Sequence, residues 1–153
     1  MGMTYVDKIA KAKKLKILIP EDILIEDIVG IYGFFALKDS KESCFYIGKA
    51  TNIRSRLLDA SKGHIHRFLY GYDGLVPDKI RDYRNDNYSI EVKVLERIDY
   101  EDTNFSRAAH RLALAELQQI VKYQKDNQCL EQRPEGVGPN EMKYWESNYK
   151  KQE

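Results

Sequence analysis

The chain has 153 residues, of which 42% are hydrophobic and 32% charged, and its formal net charge is +1. That length supports one domain with a real core and leaves little room for a second. There is no low-complexity tract and no apolar run long enough to span a bilayer, and no signal peptide or myristoylation motif follows Met1-Gly2-Met3, so the expectation is a cytoplasmic protein with no membrane partner.

Cys44 and Cys129 form no CxxC pair, which predicts reduced thiols rather than a zinc knuckle or a disulfide scaffold. The total charge says little, but its distribution is uneven. Lys8, Lys11, Lys13, Lys14 and Lys16 crowd the N-terminal segment, and Lys49, Arg54, Arg56, Lys62, His64, His66 and Arg67 crowd a second stretch.

In chain order, Thr4 can cap a basic helix over residues 5–16, and Pro20-Glu21-Asp22 has the composition of a helix start running to about residue 27. Residues 1–28 are therefore expected as a helical extension, residues 29–133 as the main domain and residues 134–153 as a tail with a short helix around 144–150. Two aromatic, apolar runs, 30–37 and 44–48, flank a polar break and predict a β-hairpin. Asn52 can cap a helix through Ala60, with Ile53, Leu57 and Ala60 on one side. Residues 63–73 carry no clear pattern, 77–84 suggest a short helix, and 88–95 alternate as a third strand. The clearest helix covers residues 106–125, with Ala109, Leu112, Ala113, Leu117, Ile120 and Tyr123 on its expected buried face. The sum is an α+β fold: a small three-stranded antiparallel sheet flanked by helices. Pro134, Gly136 and Gly138 read as a loop.

Glu116 falls in the centre of that expected apolar face. Burying an ionised carboxylate without a partner costs many kcal/mol, so such a group is paired, protonated or bound to a metal. A salt bridge or backbone amides would satisfy it as well as a cation, and helix position alone leaves both readings open. In the hairpin, Tyr32 and Tyr46 sit on neighbouring strands where a shared face would bring their hydroxyls together. Such a pair can be simple core packing.

The strings Gly30-Ile31-Tyr32 and Tyr46-Ile47-Gly48, separated by a short loop, resemble the signature of the GIY-YIG nucleases, and the resemblance runs from Gly30 to about Arg133. Arg56, eight residues after Gly48, matches the family's catalytic arginine. Lys49 matches the lysine that follows YIG in repair-type members, and Glu116 falls at the metal-binding glutamate. Two positions depart: Ala60 stands where the family carries His or Tyr, and Glu131 where it carries Asn, for which Asn127 or Asn140 are alternatives. His64 or His66 would be candidates for the imidazole, or else phosphate contacts or surface residues.

The resemblance implies a metal-dependent DNA endonuclease with Tyr32, Tyr46, Arg56 and Glu116 as catalytic residues. Tyr32 would orient or deprotonate the attacking water, Tyr46 would hold the hydrogen-bond network, and Glu116 would bind one Mg²⁺ or Mn²⁺. A phenol titrates near about 10, so Lys49 or Arg56 would have to favour the phenolate. DNA would be gripped through Lys49, Arg54, Lys62, His64, His66 and Arg67, with the N-terminal lysines either joining the grip or forming a solvated helix face. Restriction, phage or mobile-element defence would suit so short a chain, and a homodimer would match a palindromic target. The competing reading is a catalytically lapsed module of the same fold that only binds nucleic acid.

Overall fold

The computed structural model describes residues 2–133 and 139–151. Helix α1 (Tyr5–Lys14) opens on a capping box: the Thr4 side chain accepts from the Asp7 amide while the Asp7 carboxylate accepts from the Thr4 amide. Then come β1 (Ile17–Leu18), α2 (Asp22–Ile25), β2 (Gly30–Lys38), β3 (Lys41–Ala50), α3 (Ile53–Leu58), α4 (His64–Leu69), α5 (Leu75–Asn85), β4 (Ser89–Arg97), α6 (Phe105–Gln124) and α7 (Pro139–Asn148). Pro134, Gly136 and Gly138, expected in a loop, lie outside the described residues.

The α+β expectation holds, but the sheet is not three-stranded and antiparallel. It has four strands in the order β1-β4-β2-β3, and β1 runs parallel to β4 through Ile17 opposite Ile90. Two residues are too few to show a period in sequence, so only the pairing reveals β1 as a strand. The N-terminal residues expected as an extension share the main core: Ala12, Ile17, Ile19, Ile23 and Ile28 are buried with Phe34, Ile53, Leu57, Ile65 and Ile80.

Two bulges set the faces of the sheet. Phe34 pairs with Tyr46 and Phe35 with Cys44, which leaves Phe45 as the extra residue on β3; Leu95 is the corresponding extra residue on β4. The first bulge turns Phe45 and Tyr46 to one face, with Tyr32 and Phe34, and leaves Cys44 and Ile47 on the other, with Ile31 and Phe35. Helices α1 to α5 supply the core of the first face, and α6 covers the second through Leu112, Ala115 and Ile120.

The buried line of α6 is Ala108, Leu112, Ala115 and Ile120, so the helix is rotated from its expected setting. Ala109 and Ala113 are half-buried, Leu117 is 40% exposed, and Glu116 lies at the half-buried margin rather than at the centre of the face. Beyond the outer strand β3 the chain returns as residues 127–132. There the Gln128 side-chain oxygen accepts from the Cys44 amide (2.6 Å), and Gln132 accepts from the Ile47 amide (2.8 Å) while donating to the Ile47 carbonyl.

Candidate active site

The hairpin places Tyr32 opposite Gly48, and the pairing explains the glycine. A Cβ built on Gly48 would lie 2.4 Å from the Tyr32 hydroxyl and 2.5 Å from its ring carbon Cζ. The ring of Tyr32 therefore occupies the space that any side chain at position 48 would need. Gly30 is constrained in the same way by the neighbouring strand, since its Cβ would come 2.1 Å from the Glu96 carbonyl oxygen. Both glycines are required by close approach of other groups.

Around that hairpin an aromatic cluster forms on the first face. Tyr32 and Tyr46 have ring centroids 6.3 Å apart, Phe34 meets both edge-on, and the imidazole of His64 lies 5.4 Å from the Tyr46 ring. The Tyr32 hydroxyl is 2.9 Å from His64 Nε2. His64 is only 7% exposed, and burial together with the Arg56 guanidinium pushes its pKa down to about 3. The ring is thus neutral at physiological pH, with one nitrogen free to accept a hydrogen bond.

Tyr32 is 1% exposed, and burial is the main reason its phenol is held far above its ordinary range. The Arg56 guanidinium opposes this, while the Tyr46 and Glu116 charges add to it. Tyr46 is half-buried and also shifted upward, chiefly by burial and against Arg56, but its hydrogen bond with Tyr32 favours its ionised form. The expectation that nearby cations would poise Tyr32 as a phenolate is therefore corrected: desolvation outweighs them. Lys49 pairs with Ile31 and so belongs to the opposite face from Tyr32. Arg56 is held by α3, which Asn52 caps through the Ser55 amide, and its guanidinium donates to the Lys62 carbonyl (2.8 Å).

The remaining basic candidates divide. Lys62 is exposed and Lys49 half-buried. Arg54 is tied to Asp27 at 2.6 Å and donates to the Ile23 carbonyl, which makes it a brace between α3 and the chain before β2. Arg67 donates to the Ser61 and Asp73 carbonyls and lies over the Tyr72 ring. His66 is buried with its ring 4.4 Å from that of Tyr70, so neither histidine is a surface phosphate contact in this arrangement. Sequence reasoning left residues 63–73 unpatterned and so missed α4, the element that carries His64 to Tyr32. The available signal was Ile65, Phe68 and Leu69 at helical spacing between Gly63 and Gly71.

Among the described residues no three His, Cys, Asp or Glu side chains converge on a point. A hard cation such as Mg²⁺ does not require such a group, since one or two carboxylates with waters and substrate phosphate commonly hold it. Glu116, a single oxygen donor whose charge acts on both phenols, fits that pattern. Beside Tyr46 a cavity of about 480 Å³ opens, with Lys79, Tyr83, Gln128, Cys129 and Gln132 among its walls. No helix among the described residues is long and apolar enough to cross a membrane. Compared with family models, curated proteins and solved structures, the chain matches none.

Proposed function

We propose that the chain is a divalent-metal-dependent DNA endonuclease of the GIY-YIG type, acting in the cytoplasm. The observation that carries this reading is the gathering of Tyr32, Tyr46, His64 and the charge of Arg56 in one cluster that also feels Glu116. Phosphodiester hydrolysis needs a positioned water, a route for its proton and positive charge for the phosphoryl oxygens.

The half-buried Tyr46 is the phenol in reach of water, and Tyr32 stands behind it. That division is supported by their different exposure and by the hydrogen bond that favours Tyr46 as the ionised partner. Neutral His64 donates from Nε2 to the Tyr32 oxygen, which leaves the single Tyr32 proton for Tyr46. Arg56, fixed by the Lys62 carbonyl, faces the scissile phosphate. A Mg²⁺ or Mn²⁺ ion on Glu116 supplies Lewis-acid neutralisation of the phosphate and the leaving oxygen when bound. Lys62 and Lys49 contact the backbone of the DNA, and a homodimer would let two copies cut both strands of a palindrome.

The test is to incubate the purified full chain with plasmid, single-stranded and branched DNA, with and without Mg²⁺ or Mn²⁺. Cleavage that requires the ion is expected, and Tyr46→Phe, Tyr32→Phe and Glu116→Ala should each lose roughly 10²- to 10⁴-fold in rate while remaining folded. Undiminished cutting by Glu116→Ala sinks the metal assignment. A second reading, a lapsed module that only binds nucleic acid, is favoured by the burial that holds both phenols protonated. Retarded but uncut DNA would select it.

A further inference from the structure

The second face of the sheet holds chemistry that the nuclease reading does not use. Cys44 on β3 and Cys129 in the returning segment are both free thiols. They are 85 residues apart in sequence, yet the Cys129 thiol donates to the Cys44 carbonyl at 3.3 Å. Cys44 is buried, and its own thiol also donates to the Tyr46 carbonyl at 3.6 Å. Both cysteines line the cavity of about 480 Å³ beside Tyr46, which gives a small reagent a way in.

The two sulfurs are not equivalent. Cys129 is half-exposed, and the neighbouring Cys44 side chain and the Lys79 ammonium hold its thiol below the ordinary range. The neighbouring Cys129 side chain and burial hold Cys44 above it. A thiolate is the nucleophile in disulfide exchange, so an exposed low-range thiol attacks first and a protonated neighbour resolves.

We propose that Cys129 and Cys44 form a thiol modification site for small disulfides such as oxidised glutathione, with Cys129 as the attacking sulfur and Cys44 as the resolving one. The Cys129 thiolate attacks one sulfur of the small disulfide, a new S–S bond forms, and the first small thiolate leaves. Cys44 then gives up its proton and attacks Cys129 sulfur, expelling the second small thiolate, which takes up a proton. The protein dithiol is oxidised by two electrons to the Cys44–Cys129 disulfide, and the small disulfide is reduced to two thiols. The product ties residues 127–132 covalently to the strand of Tyr46.

The experiment adds oxidised glutathione to the native full chain under mild conditions and follows intact mass and free thiols. The expected product has lost two hydrogens, carries no glutathione and yields a peptide cross-link between Cys44 and Cys129. Cys44→Ser should stop at a glutathione adduct on Cys129, and Cys129→Ser should react at least tenfold more slowly. Circular dichroism of each variant verifies that it is folded. The proposal is overturned if the native chain keeps both thiols that react once denatured, if a stable mixed adduct accumulates, or if Cys44 reacts first. None of these readouts depends on DNA cleavage.

Discussion

The two faces of the sheet are covered in different ways. On one, α1 to α5 close over Tyr32, Phe34 and His64, so the hydroxyl of Tyr32 and the imidazole of His64 are sealed together with the hydrogen bond between them. On the other, the single helix α6 touches the sheet along a line and leaves Leu114, Leu117 and Val121 exposed on its back. The same candidate site draws from both: neutral phenols and an imidazole from the closed face, and the half-buried Glu116 from the margin of the helix. Short converging elements can bury a titratable group because they crowd it from several sides, whereas one helix buries only a stripe.

The largest effect should come from the closed face. Phe34→Ala removes a fully buried ring at the centre of the aromatic cluster and should cost about 3–5 kcal/mol in denaturant-monitored unfolding. Gly48→Ala comes next: its methyl collides with Tyr32, which should cost about 1–3 kcal/mol and lower cleavage as well. Wild-type stability with Ala at 48 would show that Tyr32 does not lie over that strand.

The third test uses pH. His64 is held at about 3 when folded against 6.5 unfolded, so between those values the unfolded chain binds more protons and stability falls as the solution is acidified. His66, also shifted down by burial, adds to the slope in the same direction. From pH 6.5 to about 5.5, above the carboxylate range, the loss should be on the order of 1 kcal/mol. His64→Gln should remove most of it. An unchanged slope in that variant would place the imidazole in water. The smallest effect belongs to the back of α6, where Leu117→Ser should change stability by no more than about 0.5 kcal/mol, while Leu112→Ala should cost about 2–5.

Much of the hairpin was readable from sequence because its glycines, aromatics and polar break each answer to a local requirement. Thr4, Asn52 and the length of α6 were legible for the same reason: capping and period are short-range properties. The setting of α6 was not, because Leu114, Leu117 and Val121 make its apolar residues span more than one arc, and only the sheet decides which arc is covered. His64 was seen as a candidate, but its meeting with Tyr32 depends on α4, six residues whose packing is tertiary. The contact between Cys44 and Cys129 was hidden by the same kind of distance, since it arises only when the chain after α6 folds back along β3.

That fold-back has a consequence for the chain in crowded solution. An outermost strand usually offers a row of unused amides and carbonyls to any passing extended peptide. Here the side chain of Gln128 already occupies the amide of Cys44, and that of Gln132 both the amide and the carbonyl of Ile47, as a neighbouring strand would. Two glutamines thus stand between Phe45 and Ile47, a strongly β-forming pair, and the stacking of one molecule's sheet onto the next.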